Sequence, residues 1–281
     1  MDRLRLPNSR LYSTSDFSDY ISVVSANMVL SMERWVGKVA VVTGASVGIG
    51  AAIARMLVEN GVIVVGLARR SDEIEKLAKT LSDKKGKLYA VKADVSKEED
   101  VKNAFKWASE KVGPVHILVN NAGIHDRTSL IDGDTEKWRN TLNVNVVALC
   151  IATREAIKIM RENNIDGHII HINSVVGHKV PNLPNLDVYS ASKYAVTSLT
   201  ETLRLEINAL KLKIKITSIS PGLVNTSFID EETRKTEYIK DLLATRSLNP
   251  EEIADGAQYV LSTPPGVQVH ELTIKPLHEQ F

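Results

Sequence analysis

Short apolar runs alternate along the chain with longer stretches in which apolar residues recur at helical spacing. The short runs are rich in β-branched residues and lack polar alternation, which is typical of strands that are buried on both faces of a parallel sheet. The predicted strands span residues 39–43, 62–67, 88–91, 115–120, 168–172, 213–220 and 267–274. The predicted helices span residues 48–60, 72–82, 97–112, 135–162 and 186–210, and a further helix begins at Pro250 after the capping residue Asn249.

This order of elements predicts an α/β fold with a single Rossmann-like, doubly wound parallel sheet and helices on both of its faces. We expect one domain over residues 32–281, because neither an internal repeat nor a low-complexity linker divides it. Residues 1–31 contain seven Ser, three Arg and three Asp without an amphipathic period, which predicts a disordered or loosely attached leader. The amphipathic stretch 228–248 is expected to form either a surface helix or a mobile substrate lid.

Composition and charge exclude several functional classes. The chain has 281 residues, and its 35 Lys and Arg nearly balance 34 Asp and Glu, so that no strong field favours nucleic acid. The longest strongly apolar run, residues 62–68, is far shorter than the roughly 20 residues of a bilayer-spanning helix. The single cysteine, Cys150, excludes an internal disulfide and fits a reducing compartment, so we expect a cytoplasmic protein. His168 and His171 would face opposite ways on one strand, and no metal site is predicted.

A glycine-rich turn lies between the first predicted strand and the first predicted helix, where Gly44, Gly48 and Gly50 follow the pattern G-x-x-x-G-x-G. Glycine permits positive φ and a close approach of the backbone to a ligand, and the amides at a helix start favour a pyrophosphate. We therefore expect this turn, with Ser46 and Ile49, to bind the phosphates of a dinucleotide. The alternative is a strand-to-helix corner that needs glycine for its geometry alone.

Two arginines, Arg69 and Arg70, follow the second predicted strand, where a dinucleotide site distinguishes between adenosine riboses. An acidic residue there would accept from the ribose 2′-hydroxyl, whereas arginine pairs with a 2′-phosphate, so the sequence predicts NADP as the cofactor. Solvated arginines at a strand end are the alternative. Asp94 and Val95 follow the third strand, and Asp94 is expected to bind the adenine amine, to cap the helix near Ser96, or both.

Tyr189 and Lys193 are four residues apart on a predicted helix and therefore share one of its faces. A neighbouring ammonium stabilises phenolate and lowers a pKa of about 10, so we expect Tyr189 to exchange a proton near neutral pH. Ser174 follows the fifth strand and is expected to donate a hydrogen bond to a substrate oxygen beside Tyr189. The alternative is that Ser174 is only a turn residue.

These motifs, in this order, resemble those of the short-chain dehydrogenase/reductase family over roughly residues 36–275. The motifs that carry the resemblance are the glycine turn, Asn-Asn-Ala-Gly at 120–123, Asn145, Ser174, the Tyr189-x-x-x-Lys193 pair and the Pro221-Gly222 pair. Residues 32–38, 168–174 and 269–272 further resemble a subgroup that contains farnesol dehydrogenases of insects and the vertebrate dehydrogenase/reductase SDR family member 11. The resemblance implies NADP(H)-dependent interconversion of alcohols with aldehydes or ketones.

The resemblance also implies a role for each matching residue. Tyr189 would be the acid/base, Lys193 its pKa tuner and a ribose ligand, and Ser174 the donor that orients the carbonyl. Asn145 would steady a water that leads from Lys193 to solvent. The further cofactor ligands that the resemblance implies are Asn121, Ala122 and Gly123 near the adenosine ribose, and Pro221, Gly222, Val224 and Thr226 near the nicotinamide and pyrophosphate.

The sequence departs from the family pattern at two points. Ser174 and Tyr189 are fifteen residues apart, two more than is usual in the family, which predicts a longer substrate loop. This departure leaves Asn173 open as the orienting residue. Ala148 stands where the family often has glycine.

Together these features predict an NADP(H)-dependent oxidoreductase that interconverts a hydrophobic alcohol, such as a farnesol-like terpenoid, and its aldehyde or ketone. A steroid or dicarbonyl reductase is the alternative enzyme, because it differs only in the shape of its pocket. A non-catalytic module that senses NADPH is disfavoured, because it would have no use for the Tyr189–Lys193 pair. The long helices around Asn145 and Tyr189 favour self-association into a homodimer or homotetramer.

Overall fold

A computed structural model describes residues 30–182, 186–228, 234, 235, 237, 240 and 247–279 of the chain. The predicted leader lies outside these residues except for Leu30 and Ser31, and so does most of the predicted lid at 228–248. Within the described part, no helix combines the length and the apolar character that crossing a bilayer requires. In the same residues, no group of three or more His, Cys, Asp or Glu side chains is placed to hold a metal ion.

The described residues form one seven-stranded sheet in which all neighbouring strands run parallel. The strands are β1 (Val39–Thr43), β2 (Ile63–Ala68), β3 (Lys87–Lys92), β4 (Val115–Asn120), β5 (His168–Ile172), β6 (Lys215–Pro221) and β7 (Glu271–Ile274). Their order across the sheet is β3-β2-β1-β4-β5-β6-β7, so the direction of winding reverses between β1 and β4. The predicted doubly wound fold is confirmed, and a ligand crevice is expected at the carboxyl ends of these two strands.

Helices cover both faces of the sheet. They are α1 (Gly48–Glu59), α2 (Ser71–Thr80), α3 (Glu98–Lys111), α4 (Thr135–Leu142), α5 (Ala148–Glu162), α6 (Asp187–Ala209) and α7 (Pro250–Ser262). A π-helical segment, Asn143–Val147, joins α4 to α5, so the predicted helix 135–162 forms with one interruption. The start of α7 is as predicted, because Asn249 and Glu252 form a reciprocal capping box ahead of a proline in the first turn.

The last strand is shorter than predicted, since it begins at Glu271 and not at residue 267. The carbonyl of Val267 accepts a hydrogen bond from Lys215 Nζ at 2.9 Å. The carbonyl of Val269 likewise accepts from Thr217 Oγ1 at 2.7 Å. Side chains of β6 therefore occupy acceptors that a strand would offer to its neighbour in the sheet.

Two hydrophobic layers enclose the sheet. Ala40 and Val42 of β1 pack in the layer formed with α1, α2 and α7, whereas Val39 and Val41 pack in the layer formed with α3, α5 and α6. Burying one valine fully stabilises the fold by roughly 1.5–3 kcal/mol relative to leaving it exposed. The buried strands thus fix the positions of the loops at their carboxyl ends.

The residues before β1 pack against the end of α7. Trp35 is buried, and its Nε1 donates a hydrogen bond to the Leu261 carbonyl at 2.8 Å. The amide of Ser31 donates to the Ser262 carbonyl at 2.9 Å. These contacts attach the short segment that follows the predicted leader to the fold.

Candidate active site

The glycine-rich turn after β1 leads into the first turn of α1. Gly44 and Gly48 have φ angles of 69° and 58°, which other residues rarely adopt. Gly50 permits a close approach of two loops, since a Cβ there would lie 2.4 Å from Asn121 Nδ2. Among the described residues no side chain caps α1, so the amides of its first turn keep their capacity to bind an anion. The turn also contains Ser46 and Ile49.

Thr43, at the end of β1, joins the glycine turn to the loop after β4. Its Oγ1 accepts hydrogen bonds from the backbone amides of Asn121 and Ala122, each at 3.0 Å. The Asn121 Nδ2 in turn donates to the carbonyl oxygens of Thr43 at 2.9 Å and Gly44 at 3.2 Å. These bonds hold the two sides of the crevice together at the point where the strand order reverses.

Both arginines that follow β2 are exposed at its carboxyl end. On the neighbouring loop, Asp94 Oδ1 accepts hydrogen bonds from the Ser96 amide at 3.1 Å and the Ser96 hydroxyl at 2.7 Å. The hydrogen bond from Ser96 lowers the pKa of Asp94, and the positive charge of Arg69 adds to this effect. Asp94 therefore supports the turn ahead of α3 and not the helix itself, whose N-cap is Lys97. Val95 packs at the edge of the core.

Tyr189 and Lys193 lie on the first two turns of α6, next to Ser174 at the end of β5. Burial raises the pKa of Tyr189 to about 12, although a hydrogen bond with the Ser174 side chain acts in the opposite direction. The prediction that Lys193 brings this pKa below its usual value is therefore wrong for this structure. The Lys193 Nζ lies 5.9 Å from the centre of the Tyr189 ring and donates instead to the Ile172 carbonyl at 2.9 Å.

Lys193 and Asn145 belong to one polar group beneath the loop after β4. Burial lowers the pKa of Lys193 to about 8. Asn145 Nδ2 donates to the Ile124 carbonyl at 2.9 Å and to Ser192 Oγ at 3.0 Å, and its Oδ1 accepts from the Ile124 amide at 2.9 Å. A Cβ added to Gly123 would lie 3.4 Å from Asn145 Oδ1 and 4.0 Å from Lys193 Nζ. The structure thus brings these sequence-predicted residues together.

Ser174, and not Asn173, faces Tyr189. The Asn173 Nδ2 donates to Thr197 Oγ1 at 2.9 Å on α6. A Cβ added to Gly177 would lie 2.8 Å from Asn173 Oδ1, because the short turn that follows Ser174 packs on this side chain. The geometry therefore favours Ser174 over Asn173 as the residue that reaches a substrate oxygen.

The loop after β6 closes the crevice from the other side. Pro221 ends β6, and the amide of Gly222 donates to a carbonyl at the end of β7 at 2.8 Å. Val224 is buried. Thr226 lies over the glycine turn, since a Cβ added to Gly48 would be 3.1 Å from its Cγ2. Of the four predicted residues of this loop, Thr226 therefore lies beside the glycine turn, and the other three connect it to the end of β6.

Three residues beside Tyr189 were not predicted from the sequence. The His125 ring stacks on the Tyr189 ring, with centroids 4.7 Å apart and an angle of 25° between the planes. The Phe228 ring lies 5.6 Å from the same ring at a tilt of 48°. Asp187, at the start of α6, contacts His125 through Oδ2, which lies 3.5 Å from Nε2. In the sequence, a histidine just after Gly123 and an acidic residue just before Tyr189 are visible. Nothing in the sequence indicates that these two residues contact each other, because only the fold brings them together.

The crevice fits a nicotinamide dinucleotide. The exposed arginines after β2 mark one end of the crevice, and Tyr189 beside β5 marks the other. Three strand spacings lie between these ends, which is about 14 Å at about 4.8 Å per spacing. The uncapped start of α1 lies between these ends, where an elongated ligand would place its pyrophosphate.

Comparisons with known proteins point to the same kind of ligand. The family described as short chain dehydrogenase matches residues 38–237. A farnesol dehydrogenase of Aedes aegypti is 50% identical over 252 residues, which cover 89% of this chain and 100% of that protein. Dehydrogenase/reductase SDR family member 11 of Gallus gallus is 46% identical over 257 residues, which cover 88% of this chain and 99% of that protein.

A solved structure shares the fold and the family. The X-ray structure of an alcohol dehydrogenase from the archaeon Thermococcus sibiricus, complexed with 5-hydroxy-NADP, matches with a TM-score of 0.76 and 28% sequence identity. The match covers 87% of this chain and 98% of that one. The chain therefore belongs to the short chain dehydrogenase family of oxidoreductases, which use a nicotinamide cofactor and a small-molecule substrate.

Proposed function

We propose that the chain is an NADP(H)-dependent enzyme that interconverts a hydrophobic alcohol of the farnesol class and its aldehyde or ketone. The observation that carries this proposal is the cluster of Ser174, Tyr189 and Lys193 at the carboxyl edge of the sheet. The cluster combines a group that exchanges a proton, a hydrogen-bond donor for a substrate oxygen and a buried cation. A module that only sensed the dinucleotide would gain nothing from this combination.

Tyr189 exchanges the proton of the reaction, while the bound nicotinamide supplies or accepts the hydride. In the direction of reduction the phenol must be protonated, as any tyrosine is at neutral pH, and burial extends its protonated form to higher pH by raising its pKa to about 12. Tyr189 donates this proton to the carbonyl oxygen of the substrate. Ser174 donates a hydrogen bond to the same oxygen and stabilises the negative charge that develops there.

In the direction of oxidation, Tyr189 must first lose its proton so that it can accept the proton of the alcohol. The Lys193 ammonium favours the phenolate, because an opposite charge within about 6 Å stabilises the ionised form. We assign to Asn145 the support of a water that carries protons from Lys193 to solvent, since Asn145 lies in the same polar group. The ionisation of Tyr189 and the transfer of its proton to solvent both use side chains that lie around Lys193.

The arginines after β2 support NADP over NAD. Arg69 and Arg70 are exposed where the 2′ position of the adenosine ribose would lie, and a guanidinium binds phosphate through charge-assisted hydrogen bonds. The amides of the glycine turn would hold the pyrophosphate. The loop after β4 and the loop after β6 would hold the two riboses and the nicotinamide.

The surroundings of Tyr189 support a hydrophobic substrate. The rings of His125 and Phe228 flank the phenol, and Phe228 is 44% exposed, so it offers apolar surface to a ligand. The relative from Aedes aegypti, which is 50% identical over its full length, is a farnesol dehydrogenase. A long apolar alcohol is therefore the substrate that the site and this relative favour together.

Self-association through α5 and α6 is part of the proposal. A groove of about 820 Å³ runs along these helices, and its lining combines leucine and isoleucine side chains with charged ones such as Arg154, Lys158 and Arg161. Sedimentation is expected to show a dimer or tetramer, and a monomer alone would contradict this part of the proposal. A cytoplasmic location is also proposed, because the single cysteine, Cys150, fits a reducing compartment.

The test follows the absorbance of NADPH with a panel that contains farnesol, farnesal, a steroid and a dicarbonyl compound. The highest kcat/KM is expected for farnesol or farnesal, and a higher value for the steroid or the dicarbonyl would reject the substrate. Tyr189→Phe is expected to lower kcat by about 10²–10⁴, which is the usual contribution of general acid–base catalysis. Tyr194→Phe, on the exposed side of the same helix, is the matched control and is expected to retain kcat. Wild-type rates in Tyr189→Phe would reject the mechanism.

A further inference from the structure

The side chains of His125, Asp187 and Tyr189 cluster at the start of α6. The His125 imidazole lies nearly parallel to the Tyr189 ring, with centroids 4.7 Å apart. The side chains of His125 and Asp187 are only 8% and 0% exposed, and their nearest atoms, Nε2 and Oδ2, are 3.5 Å apart. A buried carboxylate and a buried imidazole are costly unless they are paired or hydrogen-bonded, so this contact restricts the positions of both side chains.

Asp187 connects the loop after β4 to the helix that carries Tyr189. Its Oδ1 accepts a hydrogen bond from the Tyr189 amide at 3.1 Å, and its Oδ2 accepts one from the Thr128 amide at 3.0 Å. Asp187 also has a φ angle of 35°, which is uncommon for any residue other than glycine. The carboxylate therefore holds a strained helix start, the loop that contains His125 and the imidazole itself in one arrangement.

We propose that His125 and Asp187 are a positioning pair for Tyr189. The carboxylate holds the imidazole flat against the phenol ring, and the imidazole keeps the phenol hydroxyl beside Ser174 and Lys193. The pair acts through Tyr189 and not on the substrate, so it sets the geometry of proton transfer. This proposal rests on the acid/base role that is proposed for Tyr189 above.

The kinetic test separates positioning from substrate binding. His125→Ala is expected to lower kcat at least tenfold with less than a threefold change in KM, because a misplaced acid/base affects the transition state and not the ground state. His125→Phe restores a ring against Tyr189 and is expected to recover most of kcat. Asp187→Asn, which retains an acceptor for the Tyr189 amide, is expected to lower kcat without raising KM.

His116→Ala is the matched control, because His116 is a half-buried histidine near the opposite, amino-terminal end of β4. It is expected to retain wild-type kcat. Wild-type kcat in His125→Ala would overturn the proposal, and so would a rise in KM alone. An equal loss of kcat in His125→Phe and His125→Ala would also overturn it.

A structural readout tests the proposal without any turnover. In crystals of His125→Ala without ligands, the Tyr189 hydroxyl is expected to move by more than about 1 Å from Ser174 or to adopt a second conformer, and in His125→Phe it is expected to stay. An unmoved hydroxyl in His125→Ala would overturn the positioning pair. An inactive wild type whose Tyr189 moves in His125→Ala would reject the proposed function alone. An active wild type whose Tyr189 stays in place would reject the positioning pair alone.

Discussion

His171 of β5 offers a quantitative test of the fold, because it is fully buried between the sheet and two helices. Its Nδ1 lies 2.9 Å from Thr200 Oγ1, and its Nε2 lies 3.3 Å from Thr153 Oγ1. Thr200 itself donates to the Val196 carbonyl at 2.7 Å. It follows that Nδ1 carries the proton and donates to Thr200, whereas Nε2 accepts from Thr153. The neutral imidazole therefore satisfies its surroundings, and a second proton, on Nε2, would displace the hydrogen bond that Thr153 donates.

The magnitude follows from proton linkage. Burial lowers the pKa of His171 from 6.5 to about 3, and the positive charge of Lys193 acts in the same direction. Below pH 6.5 the unfolded chain binds a proton that the folded protein does not bind. Stability from the neutral imidazole is therefore fully present above pH 6.5 and is lost as the pH falls towards 3. At pH 5 the loss is about 2 kcal/mol, since each of about 1.5 pH units contributes about 1.36 kcal/mol.

The perturbation is His171→Gln, which removes the titrating group, and the assay is urea unfolding at pH 7.5 and pH 5. The decrease in the free energy of unfolding between these pH values is expected to be smaller in the variant than in the wild type by about 2 kcal/mol. Any loss of stability at pH 7.5 does not affect this comparison, because each protein is its own reference. His270→Gln replaces an exposed histidine and is the control. It measures how much the pH dependence of the free energy of unfolding changes when a histidine that is not buried is removed. Equal pH dependence in the wild type and His171→Gln would refute the reasoning.

Three further predictions concern the site. Arg69→Ala is expected to raise the Kd for NADP at least tenfold and the Kd for NAD less than threefold, because only NADP carries the phosphate that a guanidinium pairs with; equal losses in titrations with both cofactors would contradict the assignment. The kcat of alcohol oxidation is expected to rise from pH 7 to pH 10, because oxidation requires ionised Tyr189 and burial raises the pKa of this residue to about 12. A kcat that does not change with pH would contradict this prediction. Gly177→Ala is expected to lower the free energy of unfolding by roughly 1–3 kcal/mol in a melting experiment, since the new Cβ would lie 2.7 Å from the Lys193 carbonyl oxygen. Gly266→Ala is the control and is expected to be neutral in the same experiment, because nothing lies within 4 Å of its new Cβ.

The sequence predicts the central strands to the residue. The bounds of β1, β4 and β5 agree with the prediction, because strands that are buried on both faces consist mainly of apolar residues. The last strand was predicted four residues too long. Its apolar residues Val267 and Val269 look like part of a strand, but side chains of Lys215 and Thr217 bind their carbonyls, and such contacts across the sheet leave no local signal.

In the candidate site, too, features that depend on nearby residues in the sequence could be predicted, and features that depend on distant residues could not. The positions of Tyr189 and Lys193 on one helix face follow from their spacing alone, and parallel strands place the loops that carry the other motifs at one edge. The pKa of Tyr189 was predicted in the wrong direction. Its value depends on burial of the phenol, which only the fold determines, and two of the rings that contact the phenol, those of His125 and Phe228, reach it from other loops.

The two extra residues between Ser174 and Tyr189 do not separate these side chains, because each end of the segment is held independently. After Ser174, the carbonyl of Gly177 accepts a hydrogen bond from a threonine of α6 at 3.0 Å, which fixes this turn on the helix. Before Tyr189, Asp187 Oδ1 accepts from the Tyr189 amide at 3.1 Å and fixes the start of the same helix. The two hydrogen bonds therefore hold Gly177 and Tyr189 on the same helix, whatever the length of the segment between them. We therefore expect the departure from the family spacing to leave unchanged the contact between the side chains of Ser174 and Tyr189 on which the proposed proton transfer depends.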